Sequence, residues 1–167
     1  MSLDWLIIGG GIHGTHIATR LLGSGNVEPE KLRIIDPGER LLERWRACTH
    51  TTGMRHLRSS SVQHLDLSPW SLELFAGERN SYQRRKIKKS GLFAPPYHRP
   101  ALSLFNDHCD SVVDKFGLSE VHIRGRAVTC SVTCDEVSIQ LEDGRALSAH
   151  NLVLAIGGGD KPRWPDW

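Results

Sequence analysis

The chain has 167 residues, of which 39% are hydrophobic and 24% charged, and its formal net charge is +2. That length suits a single domain, which can bury about 70% of the surface its unfolded chain exposes and so needs neither disulfides nor a metal to fold. No apolar run nears the roughly 20 residues that cross a bilayer, and the first residues lack the pattern of a secretory leader. Four scattered cysteines then point to a reduced, cytoplasmic protein.

Residues 4–8 read as a short buried strand stopped by glycine, and residues 12–22 carry Ile12, Ile17, Ala18, Leu21 and Leu22 at helical spacing. Gly23 and Gly25 end that helix. "LRIID" gives a second strand ending at Asp36, and Pro37-Gly38 turns the chain. Residues 1–40 therefore form a βαβ unit, with a parallel sheet and a right-handed crossover.

Residues 41–117 read as a helical and irregular insert. "ERLLERWRA" predicts a short helix, and "CTHTTGMRHLRSSSVQH" predicts irregular polar chain. "LSPWSLELFA" restarts a helix with Ser68 as N-cap and Pro69 in its first turn. Residues 79–99 predict a basic loop punctuated by aromatics. Helix returns over roughly residues 100–116, with Leu102, Phe105, Cys109, Val112, Val113 and Phe116 on one face and Gly117 past its end.

Residues 118–157 are strand-like. "SEVHIRGRAV", "EVSIQLE" and "RALSAH" alternate apolar and polar residues, with Asp143-Gly144 as the hairpin turn between the last two. "NLVLAIGGG" is a further buried strand entering glycines, and residues 158–167 read as an exit linker.

Gly9, Gly11 and Gly14 satisfy GxGxxG between a strand and a helix. Gly9 allows the tight turn, Gly11 lets a diphosphate approach the backbone, and Gly14 lets helix and strand pack closely. The helix N-terminus adds unpaired N–H groups and partial positive charge. Asp36, 22 residues beyond Gly14, stands where a carboxylate accepts hydrogen bonds from the adenosine ribose. An acid there repels a 2'-phosphate, which leaves NAD or FAD as the ligand.

"GGGIHG" with Asp36, then "HIRGRAV", then "LEDGRALSAHNLVLAIGG" resembles the FAD-binding domain of flavoproteins with two dinucleotide-binding domains. In glutathione reductase a Gly-x-Ala precedes the β-meander and the closing strand ends in Ala-Thr-Gly, where this chain has Ala155-Ile156-Gly157. "GMRHLRSSSVQHLDLSPWSL" is similar to flavin-dependent monooxygenases of the lysine/ornithine N-hydroxylating and Baeyer–Villiger types. The resemblance implies a Rossmann-like, three-layer α/β FAD/NAD(P)-binding fold, with a parallel sheet and an antiparallel β-meander. It implies that Gly9, Gly11 and Gly14 hold the FAD diphosphate and Asp36 the ribose. Ala127 presents its backbone to adenine, and Ala155, Ile156 and Gly157 pass beside the diphosphate. Arg44, Trp45, His56, Leu57 and Arg58 fall on the flavin side.

Such enzymes continue into an NADPH-binding domain and return with a Gly-Asp that binds the ribityl chain. Here the sequence closes on "DKPRWPDW", with no second GxGxxG. The resemblance thus implies an FAD-dependent, monooxygenase-like oxidoreductase acting on a small molecule, with NADPH supplied by a domain or partner chain outside this sequence. Three alternatives stay open: a shortened enzyme, a half-protein completed by a second copy or a partner, and a fold that has lost its chemistry. The last would be a non-catalytic FAD or NAD sensor or assembly module.

The remaining motifs carry less. Cys130 and Cys134 form a CxxxC without a second ligand pair, and His13 and His16, at i and i+3, lack a third ligand, so no metal site is predicted. Arg84, Arg85, Lys86, Lys88 and Lys89, near Tyr82, Phe93 and Tyr97, form a basic run. On a near-neutral domain that run reads as a solvated surface or a rim for an anionic ligand rather than a nucleic-acid patch. His50, Arg55, His56 and Arg58 are donors near the expected flavin, and Trp45 and Trp70 read as packing residues.

Overall fold

The structure is a computed structural model, and it describes residues 2–82 and 91–158. The basic run at 84–89 and the exit linker from residue 159 lie outside the described residues.

β1 (Leu3–Ile8) feeds the glycine turn and α1 (Ile12–Gly23), and β2 (Leu32–Asp36) follows a 3₁₀ turn at Pro29–Lys31. Next come α2 (Glu43–Thr51), α3 (Ser71–Tyr82) and a small hairpin of β3 (Phe93–Ala94) with β4 (Arg99–Pro100). α4 (Leu102–Lys115), β5 (His122–Arg124), β6 (Ala127–Val132), β7 (Val137–Leu141) and β8 (Ala146–Leu154) complete the described elements.

The large sheet has the order β5-β2-β1-β8-β7-β6, parallel from β5 to β8 and antiparallel from β8 to β6. β5 and β6 are therefore opposite edges, yet Gly125 and Arg126 alone connect them. Three Cα steps reach about 11 Å. Five interstrand spacings in a flat sheet need about 24 Å. The sheet cannot be flat.

β8 is where it turns. Residues 146–149 pair with β7, and residues 149–154 pair with β1 in the parallel sense. The meander thereby folds across one face of the parallel sheet. Leu6 and Ile35 on that face pack against Ile139, Leu141 and Ala149. Their chain neighbours Ile7 and Ile34 point the other way, as strand alternation requires, into a helical layer that includes Ala18, Leu104, Phe105 and Val112. Helices, parallel sheet and meander make the three layers expected of the Rossmann-like α/β fold.

Several boundaries differ from the sequence expectation. "SEVHIRGRAV" is two strands on opposite edges, because alternation continues through the Gly125-Arg126 crossover. "RALSAH" and "NLVLAI" belong to the single strand β8, which ends at Leu154. α2 begins four residues later than expected and runs through Cys48–Thr51, which the sequence suggested was irregular. The hydroxyls of Thr49 and Thr51 bond back to the carbonyls of Trp45 and Ala47, satisfying polar side chains within the helix. α3 starts at Ser71 rather than at Pro69 behind an N-cap at Ser68. Ser68 instead closes a turn, its carbonyl accepting from the Ser71 amide at 3.0 Å. The stretch 91–100, expected as loop, holds the β3–β4 hairpin.

Candidate functional site

The glycine turn between β1 and α1 is pinned from four sides. The Gly9 amide donates to the Ile35 carbonyl at 2.8 Å, and the Gly10 amide to Asp36 Oδ2 at 2.7 Å. The Gly10 carbonyl accepts from the Leu42 amide at 2.7 Å and from Thr15 Oγ1 at 3.2 Å.

The three motif glycines do different work. Gly9 has φ +110, and a Cβ there would lie 2.4 Å from the Ala155 carbonyl oxygen. A Cβ on Gly14 would lie 1.8 Å from the Gly9 carbonyl oxygen. Both positions are closed by the protein itself. Gly11 is different: a Cβ there would meet nothing within 4 Å. Gly11 is also the N-cap of α1, which has no side-chain cap and no acid in its first turn. An open approach to uncapped helix amides is a place for an anion.

Asp36 ends β2, its Oδ1 accepting from the Gly38 amide at 2.9 Å while Oδ2 serves Gly10. Each carboxylate oxygen keeps a lone pair for a further donor. The acid thus braces the turn as well as facing the cavity beside it.

That cavity has a volume of about 1400 Å³. One stretch of its wall is Asp36, Pro37, Gly38, Gly125, Arg126 and Ala127, and another is Gly9, Gly11, Ile12, Ala155, Ile156 and Gly157. α2 contributes Arg44, Trp45 and Cys48, and Leu57 follows. His16 and Arg20 of α1 face the segment Gln63–Leu67 along the rest of it. The expected site residues Gly9, Gly11, Asp36, Arg44, Trp45, Leu57, Ala127, Ala155, Ile156 and Gly157 all line this one space. Gly14 sits behind it as packing. His56 and Arg58 do not line it: His56 Nε2 donates to the Gly91 carbonyl at 3.2 Å, and Arg58 is exposed.

Long-range bonds place the α2 side chains. Trp45 Nε1 donates to Asn106 Oδ1 at 3.1 Å and its ring meets Phe105 edge-on, while Arg46 pairs with Asp110 at 2.6 Å. Leu57 is held through its amide, which donates to the Pro100 carbonyl at 2.9 Å. Among the cysteines, Cys48 lines the cavity, whereas burial pushes the Cys109 thiol up to about 12.

The sequence reading missed a polar chain that runs from Asp66 in the wall to α3 and α4. Ser71 Oγ donates to Asp66 Oδ2 at 2.5 Å and accepts from His108 Nε2 at 3.0 Å. Lys115 Nζ lies 3.2 Å from both Asp66 oxygens. Burial pushes the Asp66 carboxyl up, but bonds from Ser71, the Leu67 amide and Lys115 outweigh it and hold the group below its usual range. Burial, then the neighbouring His64, push His108 down to about 4, and its buried Nδ1 has no partner among the described residues. These partners lie 37 and 49 residues apart, so no local pattern links them.

Residues 6–159 match the model of a family described as FAD-NAD(P)-binding. The chain belongs to that family. Its fold is also that of solved monooxygenases and a disulfide reductase. A flavin-containing monooxygenase from Stenotrophomonas maltophilia is 20% identical, with a TM-score of 0.59 over 98% of this chain and 42% of its own. A steroid monooxygenase bound to NADP is 16% identical, with a TM-score of 0.64 over 99% of this chain and 28% of its own. Bacillithiol disulfide reductase from Staphylococcus aureus is 16% identical, with a TM-score of 0.55 over 94% of this chain and 39% of its own. The FAD-NAD(P)-binding chain spans less than half of each. No curated protein matches its sequence. No helix among the described residues is long and apolar enough to cross a membrane.

Proposed function

We propose that this chain is the FAD-binding domain of an oxidoreductase, of the monooxygenase-like type. One observation carries the reading. The protein fills the space at Gly9 and Gly14 and leaves it open at Gly11, beside uncapped helix amides. That is the shape a diphosphate needs.

In this reading Gly11 and the first turn of α1 hold the diphosphate, and Asp36 accepts from the ribose. Ala127 backs the adenine, and Ala155–Gly157 closes over the diphosphate. Arg44, Trp45 and Leu57 bound the flavin end, where Trp45, fixed by Asn106 and Phe105, excludes water from one side. Bound FAD supplies electron transfer between a nicotinamide donor and oxygen or another acceptor. The chain's own residues bind, orient and shield it. NADPH, in this reading, arrives on protein outside these residues.

The visible spectrum of the protein mixed with FAD tests the reading. Flavin that co-elutes with the chain and bleaches with NADPH, alone or with a supplied donor domain, supports it. A protein that takes up no FAD yet binds NAD in calorimetry supports a non-catalytic nucleotide-binding module instead.

A further inference from the structure

The wall segment 63–69 folds around one of its own side chains. His64 is buried, and both ring nitrogens are engaged within the segment: Nε2 donates to the Pro69 carbonyl at 3.2 Å, and Nδ1 accepts from the Asp66 amide at 3.2 Å. Both bonds need the neutral ring carrying its hydrogen on Nε2. A protonated ring would set an Nδ1–H against the Asp66 N–H, donor against donor.

The segment held this way is the one that faces α1 across the cavity. His16 Nδ1 donates to the Leu65 carbonyl at 3.0 Å, and Arg20 donates to the Leu67 carbonyl at 3.3 Å. We propose that His64 is a positioning residue: its neutral ring sets the shape of the cavity wall, and dinucleotide affinity follows its protonation. The proposal rests on the cavity being a dinucleotide site.

Burial favours the neutral ring near pH 7, against the nearest opposite charge. His64 faces His16 from α1 and Asp66 from its own segment, and from α4 it meets the His108 ring edge-on at 5.0 Å, with Lys115 beyond. Ser71, Phe75 and Glu78 of α3 line a smaller hollow beside His108. Burial lowers the His64 pKa, outweighing the Pro69 carbonyl and the Asp66 charge, which raise it. Acid then loosens the wall by protonating this ring.

FAD titrations of the full chain, followed by flavin fluorescence from about pH 7.5 to about pH 5, test the idea. Wild-type affinity is expected to fall by up to about tenfold per pH unit below the His64 midpoint. His64→Gln keeps one amide donor and one acceptor but does not titrate, and its profile is expected to be flatter. Equal slopes for the two proteins would overturn the proposal, since a purely structural loss weakens binding equally at every pH. If neither protein binds FAD at any pH, the cofactor assignment fails and the role of His64 is decided separately. Long-range ¹H–¹⁵N spectra of the ligand-free wild type, which also serve should the variant not fold, are then expected to show the Nε2–H tautomer. Its midpoint is to lie below 6.5, with the Asp66 and Leu67 amides shifting in step. An Nδ1–H tautomer, or amides indifferent to that titration, would overturn it.

Discussion

At the scale of single residues, the motif glycines separate a folding role from the proposed binding role. Gly9→Ala puts a methyl against the Ala155 carbonyl at a φ of +110, so it is expected to destabilise the fold by about 2 kcal/mol or more. Gly11→Ala meets open space at φ −76, so stability should stay within about 0.5 kcal/mol of wild type. Its methyl intrudes where the diphosphate is proposed to lie, and FAD affinity should drop at least about tenfold, roughly 1.4 kcal/mol. Urea denaturation and flavin titration of both variants check the pair; equal binding by Gly11→Ala and wild type would remove the assigned diphosphate position. Asp36→Ala removes both the Gly10 and Gly38 bonds, so it should weaken the fold by about 1–3 kcal/mol as well as the proposed ribose contact. A thermal melt without ligand separates those effects, and an unchanged melt would show that the brace contributes nothing. Gly9, Gly11, Gly14 and Asp36 were legible in the sequence because a tight turn, a helix start and a strand end are local events. The ties from His108 to Ser71 and from Lys115 to Asp66 were not, because only the packing of α4 against α3 and the segment before it brings them together.

At the scale of elements, periodicity named the strands but not their neighbours. The alternation from Glu120 to Val128 is real, yet it cannot show that the chain changes edges at Gly125. What marks the crossover is steric, since a Cβ at Gly125 would come within 2.9 Å of Leu141 Cδ1. Leu41 and Leu42 misled the reading of α2: both are buried, but as anchors before the helix, with Leu42 at φ 64 as its N-cap. Leu141 is the element-scale test. It is 1% exposed in the small core between meander and parallel sheet, so Leu141→Ala should destabilise the protein by about 2–5 kcal/mol. Amide exchange should then quicken first in β6 and β7, while α1 and α4 keep their protection. Uniform acceleration would show that the meander does not open by itself.

For the whole molecule, His108 links stability to pH. Its unfolded value is 6.5 and its native value about 4, so as pH falls the unfolded chain binds the proton first. Stability from this group is complete above about pH 6.5 and is lost between there and about pH 4, by up to roughly 3 kcal/mol. His64 shifts in the same direction and adds to the loss. Urea denaturation at about pH 7 and about pH 4.5 should therefore show a larger drop for wild type than for His108→Gln, and equal drops would acquit the histidine.

The pairing of β1 with β8 also sets an order of assembly. Gly9 lies against Ala155, and Ile8 pairs with Leu154, so the glycine turn takes its shape from a strand that is translated well over a hundred residues after it. On the ribosome the early βαβ unit must wait, the free edge of β1 bare, until β8 has emerged and paired with it. Such distant pairings slow folding. They also mean that cofactor capture must wait for β8: a nascent chain without it has the glycines but not the proposed site.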